Sequence, residues 1–117
     1  MSHKIEKEWV TESGLKAAVL FVNGSHNCGY VMVSKDHPLY EVNYEDMPNF
    51  EVHGGVTFSG NISDIAPKDK LWAIGFDAAH SRDKTFGINY FGDTFKDVDY
   101  MTKECENLAK QIVKETI

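Results

Sequence analysis

Residues 15–22, LKAAVLFV, and 28–34, CGYVMVS, are two short apolar runs on either side of 23-NGSHN-27. Apolar runs around a turn containing Asn-Gly predict an antiparallel hairpin, with a five-residue turn that leaves the register open. In the second run Tyr30 and Met32 face one way and Val31 and Val33 the other, because side chains alternate along a strand. The stretch 49-NFEVHGGVTFSG-60 alternates too, Phe50 and Val52 against Glu51 and His53, then Val56 and Phe58 against Thr57 and Ser59. It reads either as a hairpin about Gly54-Gly55 or as one strand with a glycine bulge. Residues 71–76, LWAIGF, form the most apolar run and predict a central strand. Near the end the period changes: Val98, Met101, Cys105, Leu108, Ala109 and Ile112 recur at helical spacing, with Lys103, Glu106, Asn107, Lys110 and Lys114 on the other side. Thr94 followed by Asp97 reads as a capping box with Asp in place of Glu, and Glu106 with Lys110 as a favourable i,i+4 pair.

These elements predict one α+β domain over residues 1–117, in two layers, with an antiparallel sheet of four to five strands covered by a C-terminal amphipathic helix. One helix covers one face of such a sheet. Tyr30, Phe58, Trp72 and Phe76 would leave apolar surface elsewhere, so closure of the second face by the long segment 34–48 or by another copy of the chain is expected, and a homo-oligomer with it. That segment, SKDHPLYEVNYEDMP, has a short helical turn at Tyr44 to Met47. Its Tyr40 and Tyr44 either pin it to the body or stack on a ligand.

Charge narrows the partners. The net charge is −6, and residues 36–51 carry Asp36, Glu41, Glu45, Asp46 and Glu51 with no Lys or Arg. Polymer binding needs clustered cations to replace counterions, so a nucleic-acid polymer is not an expected partner. A small phosphate-bearing ligand stays compatible, held locally by Arg82, Lys84 or a divalent metal ion. Cys28 and Cys105 lie far apart and form no CxxC pair, which indicates neither a zinc knuckle nor a disulfide framework. The opening residues hold no apolar leader core, and no apolar run reaches membrane-spanning length, so the expectation is a cytoplasmic protein with no membrane partner.

The chemistry concentrates where 71-LWAI-74 runs into 75-GFDAAHSRD-83. Polar residues delivered by the end of a strand are where sites are usually built. Asp77, His80 and Asp83 stand at successive spacings of three, and with His53 they offer the imidazoles and carboxylates that a divalent metal or a proton transfer requires. His80 and Asp77 are the candidate catalytic groups. The same residues have plain structural uses: Asp77 can cap a turn, His80 can bond a carbonyl, and Asp83 can pair with Arg82 or Lys84. His53-Gly54-Gly55 permits close backbone approach and an anion nest, and is equally the makeup of a tight turn. Ser59 and Ser81 lack a GxSxG elbow, Cys28 lacks a neighbouring cation to make a thiolate, and His3, His26 and His37 read as solvated.

Taken together, 29-GYVMVSKDHPLY-40, 52-VHGGVTFSG-60, 72-WAIGFDAAHSRD-83 and 97-DVDYMTKECENLAKQI-112 resemble a family of small, largely uncharacterised phage and bacterial proteins. The family pattern is matched at Tyr30, His37, Pro38, His53, Gly54, Gly55, Thr57, Gly75, Phe76, Asp77, His80 and Asp83. Where the family has Cys this chain has Ala78, so thiol chemistry at that position is not required here. The resemblance implies a setting rather than a reaction, since small phage proteins frequently oppose host defences, some by holding a nucleotide immune signal and others by degrading it. The expectation is therefore a nucleotide-like small-molecule binding protein in phage counter-defence. In it Tyr30, Trp72 or Phe76 would stack on a base, Arg82 and the Gly54-Gly55 backbone would meet phosphate, and His53 and Asp77 would bond ribose or base, with Thr57, His80 and Asp83 beside them. Two alternatives stay open: a metal-dependent hydrolase using His53, Asp77, His80 and Asp83, and a protein inhibitor acting through the acidic loop.

Overall fold

The computed structural model describes residues 3–22, 26–52, 55–62, 71–77, 83–84, 94–95 and 98–115. Five antiparallel strands make one open sheet: β1 (His3–Val10), β2 (Lys16–Val22), β3 (His26–Ser34), β4 (Phe58–Gly60) and β5 (Leu71–Asp77), in the order β1-β2-β3-β5-β4. Two short strands, β6 (Asp83–Lys84) and β7 (Thr94–Phe95), pair in parallel. Helix α1 (Val98–Glu115) closes the chain, giving the two-layer α+β architecture.

The predicted hairpin is β2–β3, in register from Ala17↔Val31 to Val22↔His26, and the apolar run 71–76 is the interior strand β5. His3 and His26 therefore sit in strands, not in a loose terminus or a turn. Strand β1 has no counterpart in the sequence pattern. It is a sheet edge whose residues 4–8 are exposed, so nothing selects for apolar alternation there, and a bulge between Ile5 and Lys7 interrupts its register. The capping box is not formed by Thr94 either: Thr94 pairs with Asp83 in β7, and the helix begins at Val98.

Helix α1 lays Met101, Cys105, Leu108, Ala109 and Ile112, all fully buried, onto Ala17 and Val19 of β2 and Val31 and Val33 of β3. The rest of that face is covered by a strap, residues 35–52, which contributes buried Leu39 and Phe50 to the same core. Its 3-10 turn, Tyr44–Asp46, is capped by the Asn43 side chain, which accepts from Glu45 N–H at 3.0 Å. Trp72 of β5 ties the strap down by donating its indole N–H to Val42 O at 3.0 Å, and Tyr40 packs its ring against the same indole. Tyr40 thus pins the segment to the body. At the far end Gln111 treats the strap as a neighbouring strand would: its Oε1 accepts from Glu51 N–H and its Nε2 donates to Glu51 O, each at 2.7 Å.

The long segment therefore lies on the helix side and does not close the second face. There Ala18, Leu20, Met32 and Ala73 are at most 2% exposed within a single chain, with Phe58, Ile62 and Leu71 packed against them. Of the residues behind the expectation of a homo-oligomer, Tyr30 and Phe76 are buried within the single chain, and Phe58 and Trp72 are half-buried. Among the described residues of 49–60, Phe58–Gly60 alone is a strand of the sheet, and Gly55, at φ +80°, donates its N–H to Val52 O across a turn; His53 and Gly54 lie outside the described residues.

Glu106, expected as half of a surface pair, instead joins the helix to the sheet edge. Its Oε2 accepts from the Trp9 indole N–H at 2.8 Å and its Oε1 from Glu12 N–H at 3.0 Å. Glu106→Ala strands a half-buried indole donor, so a loss of about 1–3 kcal/mol is expected, with Glu106→Gln recovering part of it. Urea denaturation at unchanged m-value measures both.

Candidate functional site

Strand β5 ends on Asp77, which stands opposite Cys28 of β3, and Gly75 stands opposite Tyr30. Alternation places Cys28, Tyr30, Gly75 and Asp77 on the face turned away from α1. From β4, Phe58 sets its ring edge-on to Tyr30, with centroids 5.7 Å apart and planes at 88°. Just before it Thr57 donates its N–H to Gly75 O at 2.9 Å and its hydroxyl to Asp77 Oδ2 at 3.4 Å. Thr57 is exposed and Asp77 half-buried, with Tyr30 and Cys28 more deeply placed.

The electrostatics follow from that depth. Burial pushes the Cys28 thiol up to about 11, against the pull of its hydrogen bond with Tyr30, and the Asp77 charge adds to the rise. Burial, then the neighbouring Cys28 and Asp77, also raise the Tyr30 phenol well above its ordinary value. At neutral pH the cluster is one carboxylate beside a protonated thiol, a protonated phenol and an alcohol. It offers hydrogen bonds, and Cys28 is no nucleophile there.

No family model, curated protein or solved structure matches this chain.

The three rings expected to stack on a base are all engaged by the protein. Phe76 is 1% exposed on the helix side, against Gly29 and Cys105. Trp72, also on that side, holds the strap. Tyr30 lies over Gly75 with Phe58 at its edge. Gly55 already uses its N–H within its own turn, which removes it from an anion nest. His53, Gly54, His80 and Arg82 lie outside the described residues, as does the side chain of Asp83, whose backbone opens β6. Among the described residues no three His, Cys, Asp or Glu side chains converge on a metal position. No described helix is long and apolar enough to cross a membrane.

Two residues have partners that their place in the sequence does not show. Cys28 looked like a lone thiol because its neighbour is Asp77, 49 positions on, and only the β3–β5 register brings them level. His37 is half-buried rather than solvated, and its Nδ1 accepts from Leu39 N–H at 3.1 Å.

The Cys28 thiol carries a pH signature. Its folded-state value is raised from 9.0 to about 11, so its contribution to stability is complete below pH 9 and is lost as pH rises toward 11. Guanidinium denaturation from pH 8 to 11 should show stability falling, and falling less steeply in Cys28→Ala, with Tyr30 and Cys105 supplying the remaining slope.

Proposed function

We propose that the Thr57–Asp77–Tyr30–Cys28 cluster binds a small, nucleotide-like molecule through hydrogen bonds and leaves it chemically unchanged. The observation that carries this reading is the Thr57 hydroxyl seated on the Asp77 carboxylate at 3.4 Å, at the end of an interior strand, above two further protonated donors. A carboxylate only accepts, so the group it takes is a donor, such as a sugar hydroxyl or a base amino group. An anionic phosphate is repelled from Asp77, so that part of the ligand points away from the carboxylate. In the phage setting that the resemblance implies, such binding would hold a nucleotide signal away from its receptor.

The test is a thermal-shift panel of ribonucleosides, mononucleotides and cyclic dinucleotides, with and without chelator, followed by recovery of the ligand. The expected result is stabilisation by one class, unchanged by chelator, with the ligand recovered intact. A panel with no stabilising member overturns the reading. Conversion of the ligand that stops in chelator would replace it with the metal-dependent hydrolase.

A further inference from the structure

His37 sits where β3 hands over to the strap, and three backbone bonds converge on it. Its N–H donates to Ser34 O at 2.9 Å, its carbonyl accepts from Tyr40 N–H at 3.0 Å, and its Nδ1 accepts from Leu39 N–H at 3.1 Å. Pro38 has no N–H, so Leu39 supplies the first donor beyond the ring, two residues on, in the manner of an Asx turn. An accepting Nδ1 requires a lone pair there, which means a neutral ring carrying its proton on Nε2.

The path of the strap beyond Pro38 depends on that turn. Leu39 is buried in the helix-side core, Tyr40 lies on Trp72, and Val42 donates to Leu39 O at 3.1 Å while its carbonyl receives the Trp72 indole. Between them Glu41 stands at φ 62°, the left-handed region that costs a side-chain-bearing residue about 1–2 kcal/mol. The contacts on either side sustain that strain, so the strap is held by a few bonds against a stored opposing force.

We propose that His37 is an acid-sensitive latch: protonation of Nδ1 replaces its bond to Leu39 N–H with a donor facing a donor, and the strap is released from Trp72. Burial holds the imidazole below its ordinary 6.5, so the folded strap prefers the neutral ring. The latch is therefore fully closed above pH 6.5 and is lost as pH falls through the lower folded-state value. Lys35 and Asp36, both exposed, are its charged neighbours along the chain, and Tyr40 is occupied on Trp72. The helix side of β5 presents Trp72 and Ile74, and β4 presents Ser59 to the strap through Tyr44 N–H. Helix α1 brings Met101, Cys105, Leu108 and Ile112 to the core that holds Leu39, and the one titratable group among them, the Cys105 thiol, is raised to about 12. His37 is the one imidazole in this set. Opening would expose Trp72 and leave the Asp77 cluster, on the opposite face, in place.

NMR of the whole chain tests the latch. At pH 7 the His37 ring should show the Nε2–H tautomer, and between pH 7 and 5 the Trp72 indole N–H should leave its bonded position, the open population rising by up to about tenfold per pH unit. His37→Asn keeps an acceptor for the amide two residues on and cannot titrate, so its Trp72 signal should stay closed throughout. His37→Ala should be open at both pH values; if it fails to fold, the wild-type and Asn pair decides. An Nδ1–H tautomer at pH 7, or the same titration of Trp72 in His37→Asn, overturns the proposal.

Discussion

Gly29→Ala and Gly75→Ala should each destabilise the fold by about 1–3 kcal/mol, although alanine is ordinarily the better strand residue of the two. The two glycines occupy adjacent cross-strand pairs, Gly29↔Phe76 and Tyr30↔Gly75, on opposite faces of the sheet. In each pair the aromatic ring occupies the space that a side chain on the glycine would need. A Cβ at Gly29 would stand 2.5 Å from Phe76 Cζ and 3.0 Å from Cys105 Sγ; one at Gly75 would stand 2.6 Å from two Tyr30 ring carbons and 3.3 Å from Gly29 O. Neither ring has room to swing, since Phe76 is sealed beneath α1 and Tyr30 is braced by Phe58.

Gly14 is the control. It has φ +91° and nothing within 4 Å of the point where a methyl group would stand, so Gly14→Ala meets no clash and costs only the strain of an alanine at positive φ, about 1–2 kcal/mol. Urea denaturation at constant m-value ranks the three. The double change Gly29→Ala with Phe76→Leu should cost less than the sum of its parts, because the shorter side chain vacates the space the methyl needs. A cost for Gly29→Ala below about 1 kcal/mol would mean that the Phe76 ring moves freely, against its burial.

The same pairs show what a sequence can and cannot disclose. Elements with one buried face were legible: Val31 and Val33 against Tyr30 and Met32, the run 71–76, and the Met101-to-Ile112 stripe each carry their period because the core selects for it. Strand β1 was not, since HKIEKEWV pairs at an exposed edge and its residues answer mainly to solvent. The strap carried its anchors, Leu39 and Phe50, outside the sheet, so neither the aperiodic run around Leu39 nor the alternation around Phe50 said which face they would cover. Asp77 was legible as a carboxylate ending an apolar strand. Its relation to Cys28 was not, because cross-strand register is set by bulges and turns distributed over both strands. Gly29 and Gly75 likewise read as ordinary glycines until the register placed a ring on each.

Asp77→Ala should weaken binding of the most stabilising nucleotide in the panel by about 10- to 150-fold, the effect of losing a hydrogen bond to a charged group, and Asp77→Asn by less. Thr57→Val should cost about 0.5–1.5 kcal/mol of affinity, since it removes a neutral bond. Neither site lies in the core, so thermal stability without ligand should stay close to wild type. A second readout is independent of any ligand. The Asp77 charge helps to hold the Cys28 thiol protonated, so in Asp77→Asn that thiol should ionise at a lower pH than in the wild type, followed by the Cys28 Cβ shift in NMR. An unmoved thiol would show that Asp77 does not face Cys28 and would dismantle the cluster itself. A thiol that moves while binding is unaffected would keep the cluster and place the ligand elsewhere, because the geometry would then be right and the function assigned to it wrong.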